Sequence, residues 1–412
     1  MIRNKNLLNE GYENKFRVKS GKNQYIFLEN GKKLIDTSFC SGTLLLGHSK
    51  KFLNNSFIKQ LKNGVAYGLP NTNADKYSLF LRKIFNNYSK FILCNTGSEA
   101  NNKAIRLARS ITKKEYIVMT SGSWHGSVDQ LLFDLSSNNH LDKRELSAGL
   151  TKDLNRKIIL VPYNDYKKSI TILKKFKSKI AMVIIEPIQQ ALPSKKCENY
   201  IRNIYNYCKS KDILICFDEM ITGIRVDKFS VQNNLRLKPD LSTFGKIIGG
   251  GLPIGAIGLS KSIEKRLSNQ KNKVFFGGTF SGNPLVTEIG YQNLRYIYQN
   301  KKKIFDYLEN LSSYFENNLN LFLEKEKLNI KVIRYCSILR IVYTKSVIKN
   351  KFDRQKKEEF FFKKINQFQN FVVDNGVYLS KRGAIFFSYS YTKKDVEYLI
   401  NIISKGLLKF FK

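Results

Sequence analysis

Histidine and cysteine are too sparse in this chain to build a metal centre. Three histidines occur in 412 residues, and none stands at ligand spacing from another His or a Cys. The six cysteines (Cys40, Cys94, Cys197, Cys208, Cys216, Cys336) are scattered without paired spacing. That excludes a zinc ribbon or a redox dithiol and reads as reduced thiols of a cytoplasmic protein. No apolar run approaches the roughly 20 residues that cross a bilayer. The opening MIRNKNLLNEGYENK also lacks the apolar core and cleavage site of a signal peptide. Neither membrane attachment nor export is expected. Acidic residues are few as well: 33 Asp and Glu face 71 Lys and Arg, a formal net charge of +38. Such a field attracts polyanions. The charge is spread along the chain, however, and Lys, Asn and Ile are abundant together, as A/T-rich codons would give. Without a basic module interleaved with aromatics, nucleic acid is not the expected partner.

Hydrophobic residues make up 42% of the chain and aromatics 13%, a globular composition. No Gly/Ser- or Pro-rich linker and no solenoid repeat breaks it. NQYIFLENGKKLIDT reads as two strands around an Asn-Gly turn. Helices are expected around 50–62 and 73–86. Short apolar runs then alternate with helical stretches: FILC at 91–94, EYIVM at 115–119, KIILV at 157–161, IAMVII at 180–185 and ILICFD at 213–218. Nearly continuous apolar strands between helices argue for an α/β layer with a mostly parallel sheet. A long helical stretch begins near 285. The tail mixes strands (around 331–343 and 377–388) with helices (around 356–374 and 393–410), as a smaller α+β domain would. The division expected is an amino-terminal segment 1–50 contributing to the small domain, a large domain 51–285 and a small domain 286–412.

Four segments carry chemistry. ILICFD ends in Asp218, a carboxylate at the carboxyl end of a buried strand, where α/β proteins bind ligands; a helix cap or loop ion pair would read the same way. LSTFGKIIGGGLPIGAIG (241–258) sets Lys246 among small residues and glycines. A lysine that acts as a nucleophile needs a dry, crowded setting, and glycine lets the backbone pass close to a planar group. LCNTGSEANNKAIRLARS (93–110) is a strand, a tight turn and a helix. Gly97 and Ser98 open that helix, fit either for a phosphate or for ordinary capping. In SGSWHG, Trp124 and His125 could stack on a ring, or the single tryptophan could be core.

Together these segments resemble one family, the class III pyridoxal-phosphate (PLP) aminotransferases of fold type I. Within it the nearest look is to the glutamate-1-semialdehyde 2,1-aminomutase branch. The resemblance runs from about residue 24 to the carboxyl terminus through ENGKKLID, LLLGH, NTGSEANNKAIRLAR, SWHG, IIEPIQ, CFDEMITGIR, KPDLSTFGKIIGGGLPIGA and GGTFSGNP, all in the family's order. It implies that Lys246 binds PLP as a Schiff base and shuttles protons, and that Asp218 pairs with the pyridine nitrogen. Gly97 and Ser98 would hold the phosphate. Trp124, with His125 beside it, would cover one ring face and Met220 the other. Glu186 would lie near the ring and the polar substrate atoms. Thr279 would serve the phosphate of the neighbouring subunit, which implies a homodimer with its active site at the interface. The substrates implied are a small-molecule amino donor and a carbonyl acceptor.

The substrate half departs from the pattern. Ile221 stands where most members have a glutamine; the aminomutase branch also has an apolar residue there. The branch's Pro-Val-Arg segment has no counterpart, and Arg17 does not match its spacing. Ser41 replaces a tryptophan, and Gly383 and Tyr391-Thr392 replace a Glu and a His-Thr pair. Arg382 could read a substrate carboxylate or phosphate, or be a solvated loop residue. These departures keep an ordinary aminotransferase of surface-polysaccharide or secondary-metabolite synthesis as the alternative. A polyanion-binding protein on the same fold, without catalysis, is a third reading.

Overall fold

The computed structural model describes residues 16–136, 143–271, 273–381 and 383–412. At its centre seven strands form one sheet: β1 (Lys90–Cys94), β2 (Tyr116–Thr120), β3 (Ile158–Val161), β4 (Ile180–Ile185), β5 (Leu214–Asp218), β6 (Leu241–Gly245) and β7 (Gly255–Leu259). Their spatial order is β1-β7-β6-β5-β4-β2-β3. Only the pairings made by β7 are antiparallel. The α/β class with a mostly parallel sheet is therefore the one expected. The five apolar runs are β1 to β5. β6 and β7 are rich in glycine and small residues and do not stand out as runs.

Strand β4 shows why the sheet must be covered twice. It is Ile-Ala-Met-Val-Ile-Ile, and all six residues are buried. Alternate side chains point to opposite faces. Val183 and Ile185 share a core with Ile201 and Ile204 of the helix Cys197–Ser210. Met182 and Ile184 share another with Ala104 and Ala108 of the helix Gly97–Thr112.

Both chain ends meet in smaller sheets. The hairpin strands Tyr25–Leu28 and Lys33–Asp36 sit beside Val18–Lys22 on one side and the carboxyl-terminal strand Val377–Tyr378 on the other. A second sheet joins Lys331–Tyr335, Ile338–Val342 and Ala384–Phe386. The expected long helical stretch is two helices, Pro284–Gln299 and Lys301–Lys325, divided at Asn300. The stretch expected around 356–374 is likewise divided, into Lys351–Glu358 and Phe362–Asp374. The terminal helix Lys393–Phe411 starts in a capping box of Thr392 and Asp395. Gln24 and Tyr25 donate to that same Asp395 carboxylate at 2.7 and 2.8 Å, tying the two ends together.

One junction is strained. Phe39, Cys40 and Ser41 have φ of 44°, 54° and 57°, and Gly42 follows at 85°. Each left-handed non-glycine residue costs roughly 1–2 kcal/mol, so other contacts must hold the turn. The Asp36 carboxylate accepts the Ser38 and Phe39 N–H groups at 2.8 and 3.0 Å. Arg225 donates to the Gly42 carbonyl at 2.7 Å, to the Phe387 carbonyl at 2.9 Å and to Ser337 Oγ at 3.3 Å. Burial pushes its guanidinium pKa down to about 9, still charged at neutral pH. Arg225→Met would orphan two buried carbonyls, each costing about 1–3 kcal/mol. The relief of a buried charge offsets part of this. A net loss of roughly 2–4 kcal/mol is expected, read as a lower urea midpoint.

Candidate active site

Five strand ends converge on one edge of the sheet. β1 leads into the turn at Gly97 and Ser98, and β2 into the segment carrying Trp124 and His125. Glu186 follows β4 directly, Asp218 is the last residue of β5, and Lys246 follows β6. The carboxyl edge of a parallel sheet is where ligands bind in such folds.

Asp218 is 3% exposed and heavily partnered. Its Oδ2 lies 2.7 Å from His125 Nδ1 and accepts from Asn101 Nδ2 at 2.9 Å. Its Oδ1 accepts from the Met220 N–H at 3.1 Å. Asn101 is fixed in turn, because its Oδ1 accepts from Thr243 Oγ1 at 2.7 Å and its Nδ2 also reaches the His125 carbonyl at 2.9 Å. Hydrogen bonds of this kind fix the orientation of the carboxylate. Asn101 was not among the sequence candidates. Its signal is a polar side chain on the helix stripe that Ala100, Ala104, Ile105 and Ala108 otherwise fill with apolar groups. The neighbouring Glu219 serves a different purpose. It accepts from Thr222, Val231 N and Gln232 N, and so braces the local chain.

Lys246 sits at φ 52° at the start of a short 3₁₀ turn. Burial pushes its amine down to about 8, while nearby Glu186 and Asp218 pull the other way. Glu186 is 6% exposed, and burial pushes its carboxyl up to about 7 against the opposing pull of His125. Its Oε1 accepts the Trp124 N–H at 2.6 Å. A neutral amine is the nucleophilic form, and it exists above the pKa. Covalent capture of an aldehyde by the apoprotein should therefore accelerate with pH through about 8 and then level off. An ordinary lysine would keep accelerating toward ~10.4. Glu186→Gln removes an anion that holds the amine's pKa up, so the inflection should move lower; stopped-flow absorbance against pH reads both.

The comparisons with known proteins agree with this geometry. The model of the family described as aminotransferase class-III matches residues 8–407. The chain belongs to the class-III aminotransferase family. Among its curated relatives is the glutamate-1-semialdehyde 2,1-aminomutase of Archaeoglobus fulgidus, 32% identical over 405 residues, with 95% of this chain and 92% of the relative covered. That of Thermosipho melanesiensis is 34% identical over 393 residues, covering 94% and 91%. Among solved structures, an omega-transaminase from Sphaerobacter thermophilus superposes with a TM-score of 0.88 at 22% identity, covering 97% of this chain and 92% of its own. A glutamate-1-semialdehyde aminomutase from Pseudomonas aeruginosa gives 0.86 at 19%, covering 96% and 88%. These two likenesses show the fold. The family carries the enzyme class and the cofactor: this is a PLP-dependent enzyme of amino-group transfer.

The residues of this class-III enzyme fit that cofactor. A Cβ on Gly97 would come within 2.7 Å of Met220 Sδ, and one on Gly245 would meet the same sulfur at 2.7 Å. The thioether thus fills the space between the helix start and the end of β6. Gly126, at φ 85°, packs its bare Cα on the Ser98 side chain, whose Oγ accepts the Ser127 N–H at 2.9 Å. His125 Nε2 is buried without a hydrogen-bond partner among the described residues. Trp124 is 44% exposed, which rules out the reading as core.

The remaining candidates fall in other places. Ile221 is buried against Ile338, Ala384 and Phe386. Ser41 lies half-buried in the strained turn. Thr279 is exposed, in a surface groove of about 680 Å³ with Tyr67, Leu69 and Phe280. Arg382 lies outside the described residues. No helix among the described residues is long and apolar enough to cross a membrane.

Proposed function

We propose that Lys246 is the residue to which PLP is joined and that amino groups pass between a small-molecule donor and a carbonyl acceptor at this centre. The juxtaposition of Lys246 and Asp218 at the ends of the adjacent strands β6 and β5 carries the reading. When bound, the cofactor supplies an aldehyde for amines and a ring that draws electrons from the carbon beside the nitrogen. Asp218, locked by His125 and Asn101, would face the ring nitrogen. The free N–H groups at Gly97 and Ser98 favour a phosphate dianion. Trp124 and Met220 form the two walls. Lys246, with its lowered pKa, takes and returns the proton on the substrate carbon. Glu186, with its raised pKa, is placed to hold a proton for polar substrate atoms.

In this reading residues 51–285 bind the cofactor, and the chain ends 1–50 and 286–412 make the smaller domain. The active unit is a cytoplasmic homodimer. Leu69 and Phe280 are 78% and 61% exposed in the Thr279 groove, and an exposed apolar patch marks an association surface. A partner seated there would bring Thr279 to the neighbouring site. The aminomutase relatives make glutamate-1-semialdehyde the first substrate to try. Ser41 and Gly383 favour an ordinary aminotransferase with a different acceptor as the second. A half-reaction screen decides between them by following the cofactor's absorbance with candidate donors and acceptors. An aminomutase turns over its substrate with no external donor consumed. A transaminase releases a keto acid in proportion to product.

A further inference from the structure

Between β2 and Trp124 the chain makes a tight turn, Ser121-Gly122-Ser123, and all three residues are buried. None carries an apolar side chain, so hydrogen bonds must hold the turn. Gln189 supplies several of them. It is 0% exposed, and its Nε2 donates to the Ser121 carbonyl at 3.0 Å and to Ser123 Oγ at 2.9 Å, with Thr120 Oγ1 at 3.4 Å. A carbonyl can only accept, so the atom facing Ser121 has to be the amide nitrogen. That orientation leaves Gln189 Oε1 buried without a hydrogen-bond partner among the described residues. An orphaned acceptor costs stability, which is accounted for if the side chain is kept for its two N–H groups. The turn is gripped from the other side as well. Gly122, at φ 83°, donates its N–H to Asp134 Oδ1 at 2.9 Å. A Cβ on it would lie 2.8 Å from Lys351 Cβ and 3.0 Å from Gln189 Oε1. The segment that carries Gln189 is a firm support. Ile188 is buried in the core that Ile185 also joins, and the Tyr163 hydroxyl donates to the Pro187 carbonyl at 2.9 Å. Three residues before Gln189, Glu186 accepts the Trp124 N–H. One short segment thus holds the chain at two points, just before the tryptophan and at it.

We propose that Gln189 is a positioning residue: it fixes the Ser121–Ser123 turn and, through it, the Trp124 wall of the cofactor site. The inference rests on Trp124 being that wall. Gln189 acts through the turn and not on the reacting atoms. Contact between an indole and a planar ring weakens steeply with separation, so a loosened turn weakens cofactor binding while the rest of the centre stays in place.

Trp124 is the only tryptophan in the chain, so the tryptophan fluorescence of the full-length protein reports on it alone. Two variants separate the donor groups from the bulk. Gln189→Met keeps the volume and removes both N–H groups; Gln189→Asn keeps the amide and falls one methylene short. In the apoprotein, acrylamide quenching of Trp124 should rise in both by about 1.5- to 2-fold, since the indole starts 44% exposed and a loosened turn frees it further. PLP titrated into the same samples should quench the wild-type emission. Its Kd should rise by about 10-fold in the variants, as the loss of one hydrogen bond predicts. Arg225→Met, whose lost hydrogen bonds lie outside this turn, should lower the urea midpoint and leave acrylamide quenching at the wild-type value. Where Gln189→Met fails to fold, Gln189→Asn decides alone. Wild-type quenching in the Gln189 variants, or an equal rise in Arg225→Met, overturns the proposal. A rise confined to the Gln189 variants, with PLP quenching none of the proteins, would uphold the tether and sink Trp124 as the cofactor's wall.

Discussion

Lys246→Ala should end amino transfer and leave the protein folded. In the role proposed for Lys246, two contributions would vanish together: the amine that captures the cofactor and the base that moves the substrate proton. General acid–base catalysis alone is worth about 10²–10⁴-fold, and loss of the nucleophile adds to it. A fall of roughly 10⁴-fold or more is expected in a single-turnover assay. Alanine at φ 52° is strained no more than lysine is, and a half-buried amine whose pKa is pushed down by burial gains stability by removal as readily as it loses it. The unfolding midpoint should therefore stay within about 1 kcal/mol of wild type. The variant should still bind the cofactor, since Asp218, the helix start at Gly97 and the Trp124 wall are untouched, but without the colour of the covalent form. A variant that kept both colour and turnover would move the nucleophile elsewhere.

Asp218→Asn is the second large effect. The amide is nearly isosteric, so the strand end and its packing survive, while the carboxylate proposed to face the ring nitrogen is lost. An opposite charge in direct contact shifts a pKa by about 1–3 units, and each unit is 1.36 kcal/mol. Turnover should therefore fall by roughly 10- to 10³-fold. The cofactor's absorbance should also respond to pH differently, because its ring nitrogen would no longer stay protonated at neutral pH. Asn101→Ala offers an internal comparison. It keeps the carboxylate and removes one hydrogen bond of 2.9 Å, so its loss should be nearer 10-fold. If Asn101→Ala were as damaging as Asp218→Asn, the orientation of the carboxylate rather than its charge would govern the ring.

Much of this architecture is legible in the sequence because buried parallel strands have a simple signature. β4 is six apolar residues in a row, and the structure makes a strand of those same residues. β6 and β7 escape that signature for a physical reason. Their backbones pass close to other groups: a Cβ on Gly245 would meet Met220, and one on Gly258 would meet the Tyr88 ring at 2.5 Å. Those positions are occupied by glycine where a strand would otherwise show a branched side chain. The contributors at strand ends, Asp218, Glu186 and Lys246, are readable because each follows an apolar run or a glycine-rich turn. Asn101 is not, since it owes its position to a partner more than 80 residues away in the chain. The left-handed turn at Phe39–Ser41 is invisible for the same reason: nothing local asks for it, and Asp36 and Arg225 impose it. Thr279 shows the limit of a single chain, because the role proposed for its exposed groove needs a second copy seated on it.

Borohydride reduction of the purified holoenzyme, followed by peptide mapping in a mass spectrometer, locates the cofactor on the chain directly. A chain this rich in lysine makes the result discriminating, since many amines could be trapped at random. The predicted outcome is a reduced pyridoxyl group on the peptide carrying Lys246 and on no other, with none there in Lys246→Ala. A label scattered over surface lysines, or no label after incubation with PLP, would contradict it.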